Sequence, residues 1–84
     1  MDIALEVRKL IEQIMNDHDY ILDSVEYVKE GNSMFLRVII DKNGIVDIDD
    51  CVTVTKLINP ILDDEDIIKD NYILDVCSKE KGCE

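Results

Sequence analysis

The chain has 84 residues, 20 of them acidic against 9 basic, which gives a formal net charge of -11 and a sequence pI near 4.3. A chain of this size makes one small domain that buries only about 60% of its unfolded surface, so there is little room for an enclosed catalytic cavity. The negative field repels a phosphate backbone, which counts against charge-driven nucleic-acid binding, and it either attracts basic proteins or simply keeps a small protein soluble.

Residues 3–15 carry the first predicted element. Ile3, Val7, Leu10, Ile11, Ile14 and Met15 fall on one helical stripe, while Glu6, Arg8, Lys9, Glu12 and Gln13 take the wet side. The helix is expected to stop within residues 16–19, where no helical pattern continues. His18, the single histidine, lies in that stretch between Asp17 and Asp19 and reads as a surface imidazole, with no nucleophile placed near it by a recognisable motif. Residues 20–29 are rich in branched and aromatic side chains and read as the first strand, with a slip in alternation between Leu22 and Val25 that predicts a bulge. Glu30-Gly31-Asn32-Ser33 is turn chemistry, so the next strand pairs antiparallel with the first.

That second strand places Leu36, Val38 and Ile40 on one side and Phe35, Arg37 and Ile39 on the other, before the tight reversal of Asp41-Lys42-Asn43-Gly44. Asp47 stands at the N-cap of a second helix, over residues 48–62, with Asp49 and Asp50 at the positive end of its dipole. Ile48, Cys51, Thr55, Ile58 and Leu62 form its expected buried face, widened by Val52, Val54, Leu57 and Ile61. Pro60 is expected to bend or end the helix near Asn59, leaving Asp63-Asp64-Glu65-Asp66 as an acidic loop. Residues 71–78 form the last strand, with Tyr72, Leu74 and Val76 on one side and Ile73, Asp75 and Cys77 on the other.

These elements predict an α+β fold: a two-layer α-β-β-α-β sandwich with two helices on one face of a three-stranded sheet, similar in order to prokaryotic KH-like folds. The inward set is Leu36, Val38, Ile40, Leu74 and Val76. The other face keeps Phe35, Ile39 and Ile73 beside Arg37 and Asp75, an apolar patch of the kind that marks contact sites. The domain is assigned to residues 1–78 and a divergent tail to residues 79–84.

The acidic and cysteine residues do not fall into a recognisable catalytic or ligand pattern. Asp41, Asn43, Asp47, Asp49 and Asp50 suggest a calcium loop, but Ile45 and Ile48 interrupt the alternate-position ligand spacing and two aspartates are accounted for by helix capping, so no metal or other cofactor is expected. Cys51 reads as a small core residue. Three cysteines without a C-x-x-C pair fit neither a disulfide framework nor a zinc knuckle, and pairing of Cys77 with Cys83 would require the tail to fold back. KH-type binding of single strands uses a G-x-x-G loop with basic residues nearby, and the chain has neither that loop nor a Lys/Arg stripe. No apolar run nears the roughly 20 residues of a membrane span, and MDIALEVRK has an acid at its second position, so the chain reads as cytoplasmic.

Residues 21–66, ILDSVEYVKEGNSMFLRVIIDKNGIVDIDDCVTVTKLINPILDDED, and residues 71–78, NYILDVCS, resemble the N-terminal domain of the bacterial ribosome maturation factor RimP. The resemblance rests on a strand ending in Asp41, a helix opening with Asp49-Asp50-Cys51 and closing with Leu62-Asp63, and a strand ending in Ser78. It implies a non-enzymatic cytoplasmic factor of small ribosomal subunit (30S) biogenesis that binds the immature subunit or one of its basic proteins. It also implies a glycine before the aromatic at position 20, where this chain has Asp19. The family's Ser-Pro-Gly-x-x-Arg-Pro linker is reduced here to its serine, Ser78. The residues expected to meet a partner are Asp41, Asp49, Asp50 and Asp63 together with Phe35 and Ile39. The competing expectation is a self-association module in which the open sheet face or an edge strand closes a homodimer.

Overall fold

The computed structural model describes residues 2–79, so Cys83 and the expected tail from residue 80 onward lie outside the described residues. The order is α1 (Ile3–Asp17), β1 (Ile21–Glu30), β2 (Ser33–Asp41), α2 (Ile48–Glu65) and β3 (Ile73–Ser78). The α-β-β-α-β arrangement is therefore the one the sequence predicts. α1 opens where the Asp2 carboxylate accepts from the Leu5 amide at 3.3 Å, and it buries Val7, Ile11 and Met15, every fourth residue of its stripe.

α1 closes in a Schellman turn. The Tyr20 amide donates to the Met15 carbonyl at 2.9 Å and the Asp19 amide to Asn16 at 3.1 Å, which satisfies two carbonyls of the last turn. This geometry requires a left-handed residue after the cap. Asp19 takes it at φ 64, the position where the family resemblance implies glycine.

The sheet runs β1-β2-β3, antiparallel between β1 and β2 and parallel between β2 and β3. Leu22 faces Ile40 and Ser24 faces Ile39, so Asp23 is the extra residue of a bulge at the predicted slip. Leu36, Val38 and Ile40 are fully buried, and they meet Val7, Ile11 and Met15 of α1 and Val54, Ile58 and Leu62 of α2 in one core. Both helices therefore cover the same sheet face. Leu74 and Val76, also expected to point inward, are only half-buried because β3 is an edge strand.

α2 departs from expectation at both ends. Ile48, assigned above to the buried face, is 79% exposed, and Val54 holds that place instead with full burial. Ile48 is the first helical residue, so its side chain covers the region before the first turn and misses the sheet. At the other end Pro60 does not stop the helix. It removes one bond, to the Lys56 carbonyl, but Lys56 and Pro60 are both exposed, so water can take that acceptor. Continuing the helix buries Leu62, and Asp66 at φ 49 closes it with its amide on the Leu62 carbonyl at 3.0 Å. Asp63, Asp64 and Glu65 consequently form the last helical turn instead of a loop. Val46 and Ile68, in the two segments flanking α2, complete the core, and neither belongs to a periodic stretch.

Candidate partner-binding surfaces

The six residues that the sequence marks for a partner fall in three separate places. Asp50 and Asp41 belong to a polar junction at the start of α2. The Asp47 carboxylate accepts from the Asp50 amide at 3.0 Å, and the Asp50 carboxylate accepts from the Asp47 amide at 3.0 Å, which makes a capping box with aspartate in both roles. The Tyr20 hydroxyl, just before β1, donates to Asp50 Oδ1 at 2.8 Å, and Lys42 Nζ, just after β2, lies 2.8 Å from Asp50 Oδ2. Both oxygens of Asp50 are thus committed within the chain. Lys42 first, then the Asp47 amide and the Tyr20 hydroxyl, hold its carboxyl well below the usual carboxylate range. In turn Lys42 is raised by its bond to Asp50, and Tyr20 is raised first by burial and then by donating to that carboxylate. Asp41 Oδ1 accepts from the Lys42 amide at 2.9 Å.

This junction ties the end of α1, the end of β2 and the start of α2 to one carboxylate. Spacing alone reveals part of it, since Asp47 and Asp50 stand at the N-cap and third helical positions. Tyr20 and Lys42 reach Asp50 only through the fold, and no local pattern announces them.

Asp49 and Asp63 are exposed at opposite ends of α2, about 20 Å apart at the helical rise of 1.5 Å per residue. They do not form one patch. Phe35 and Ile39 lie together on the outer sheet face, which the helices leave bare. The ladder places Val28, Phe35 and Ile73 in one row, Glu26, Arg37 and Asp75 in the next, and Ser24, Ile39 and Cys77 in the third. Arg37 lies over the Phe35 ring at 5.3 Å, is paired with Glu30 and reaches Asp75 at 3.6 Å, so its guanidinium half-covers the apolar centre. Ile73 remains 48% exposed at the edge.

A further surface escaped the sequence reading. Between α2 and β3 runs a shallow groove formed by Cys51, Val52 and Thr55 above and Leu74 and Val76 below, with Lys56 and Asp75 as its charged residues. Its signal in the sequence was Val52, placed on the helix where it widens the apolar stripe past what a three-stranded sheet can cover. Val52 is 46% exposed. Among the described residues no group of three His, Cys, Asp or Glu side chains is arranged to hold a metal ion, and no helix is long and apolar enough to cross a membrane.

Comparison with known proteins gives a family match. A family model described as the RimP N-terminal domain matches residues 10–79, which takes in every strand, α2 and the second half of α1.

Proposed function

The chain belongs to the RimP N-terminal domain family, a family of ribosome maturation factors, and from that premise we propose that it is a non-enzymatic binding module of small-subunit (30S) biogenesis. The family match over residues 10–79 is the observation that carries this reading. Its partner is the immature small subunit, met through a basic ribosomal protein, because a body of net charge -11 is drawn to lysine- and arginine-rich surfaces and repelled by bare RNA. The setting is the cytoplasm, where subunits are assembled.

In mechanism, Asp49 and Asp63 at the two ends of α2 steer encounter, while Phe35 and Ile39 supply apolar contact on the sheet face. Asp50 serves indirectly, by fixing how α2 sits on the sheet, while Asp41 holds the backbone of Lys42, its partner in that junction. The module biases assembly by binding one arrangement of its partner more tightly than another, since equal affinity for both shifts nothing. The competing reading, closure of a homodimer over the outer sheet face, draws on the exposure of Ile73 but brings two bodies of charge -11 together.

Sedimentation of the purified domain with immature and mature small subunits is the test. Enrichment with the immature particles supports the reading, and absence from both fractions sinks it.

A further inference from the structure

β1 and β3 are the two edges of the sheet, and they are protected unequally. Proteins blunt an open edge with bulges, lysines or a covering element, because unpaired amides and carbonyls template another strand. The edge of β1 carries the bulge at Asp23, together with Lys29. Residues 73–76 of β3 read Ile-Leu-Asp-Val and carry no bulge or lysine, and among the described residues β2 is their ladder partner on one side alone. The single charge there, Asp75, is drawn toward Arg37 within the outer face.

The groove described above lies directly against this edge. A strand added beside β3 would alternate its side chains between two environments. One set would enter beneath α2 against Val52, Cys51 and Thr55, a mostly apolar lining with Lys56 as its one cation, which favours apolar side chains in this set. The other set would continue the apolar row Val28, Phe35, Ile73 at one end and, beside it, the row Glu26, Arg37, Asp75, which holds two acids to one base and has Glu30 close by on Arg37. Such a pattern selects apolar residues on the groove side and a basic residue on the outer side next to Asp75.

We propose that residues 73–76 of β3, together with the α2–β3 groove, bind an extended segment of a basic partner protein as a fourth strand. The mode is β-strand addition, in which main-chain bonds supply affinity and alternate side chains supply specificity. A second copy of this chain fits poorly, because it would set Asp75 near its own counterpart between two bodies of charge -11. The inference deepens the function proposed above by naming where the basic partner sits, and its test runs without ribosomes.

The probe is a blocked ten-residue peptide of alternating lysine and valine, titrated into the isotope-labelled chain and followed by amide chemical shifts and hydrogen exchange. Shifts centred on residues 73–76 and 51–55, with slowed exchange in β3, are the expected result. A peptide of equal charge with proline at every second valine should bind at least tenfold more weakly, as should the wild-type peptide to Val52→Lys. Val52→Thr, which keeps the shape and removes apolar contact, provides a milder second variant with an intermediate loss. Equal binding of both peptides, shifts confined to other surfaces, no shifts at millimolar peptide, or peptide-free shifts at residues 73–76 that grow with protein concentration would each overturn the proposal. Failure here alongside intact sedimentation with small subunits removes the strand-addition site and leaves the function standing.

Discussion

Substituting glycine at Asp19 is expected to stabilise the domain, and the reason is local to one backbone angle. The Schellman turn at the end of α1 needs its left-handed residue whatever the side chain, because the Tyr20 and Asp19 amides are both committed to carbonyls of the last turn. An L-residue in that region costs about 1–2 kcal/mol, somewhat less for Asp, while glycine gives back part of the gain through a freer unfolded chain. The net expectation for Asp19→Gly is a gain of about 0.5–1 kcal/mol, read as roughly 2–8 °C in Tm for a domain of this size. Removing a negative charge near the helix C-terminus also helps, so Asp19→Asn is the control that keeps left-handed tolerance and loses the charge. Asp19→Ala should fall below wild type, since a Cβ without a local hydrogen-bonding group has no compensation at φ 64. Thermal melts followed by circular dichroism, with urea midpoints for all four proteins, give the comparison. If Asp19→Gly is no more stable than Asp19→Asn, backbone strain at this turn is not what the chain is carrying.

Other consequences follow from the same packing and charge. Ile58 is fully buried between α2 and the sheet, so Ile58→Ala should cost about 2–5 kcal/mol, much of the stability of a domain this small; a urea midpoint change equivalent to less than 1 kcal/mol would contradict that placement. The Asp50 carboxyl is held below its unfolded value, so its stabilising contribution is complete above the ordinary carboxylate range and is lost as pH falls through the lower folded value. Asp50→Asn should therefore be clearly less stable than wild type at pH 7, with the gap narrowing toward pH 2–3, and a gap independent of pH would refute the role given to Lys42 and Tyr20. Glu65→Lys, in an acidic last turn that opposes the helix dipole, should gain about 0.3–1 kcal/mol at low salt and less in molar salt; a loss in urea titrations would argue against that unfavourable end.

Legibility in the sequence followed the reach of the forces involved. α1, the bulge in β1 and the Asp47 cap were readable because periodicity, slipped alternation and capping chemistry act within a few residues. The end of α2 was not, because a local rule at Pro60 competes with the burial of Leu62, and which prevails depends on the sheet beneath. Ile48 and Val54 exchanged roles for a related reason: a stripe reads as buried from spacing, but its ends are covered only if the neighbouring layer extends that far. Among site residues, Phe35 and Ile39 were placed on the outer face by alternation alone. The joining of Asp50 to Tyr20 and Lys42 is a tertiary event between segments distant in the chain, which no local pattern encodes, and the groove against β3 is tertiary too, signalled in the sequence only by Val52 at the margin of the α2 stripe.

Binding of the domain to purified immature small subunits, measured by sedimentation across a salt series, bears most directly on an acidic module that recognises a basic partner. Association is expected at about 50 mM salt and should weaken steeply by several hundred millimolar, with Val52→Lys weaker than wild type at every salt concentration. Binding that survives digestion of every exposed ribosomal protein tail, or that is absent at low salt, would contradict recognition of a basic partner.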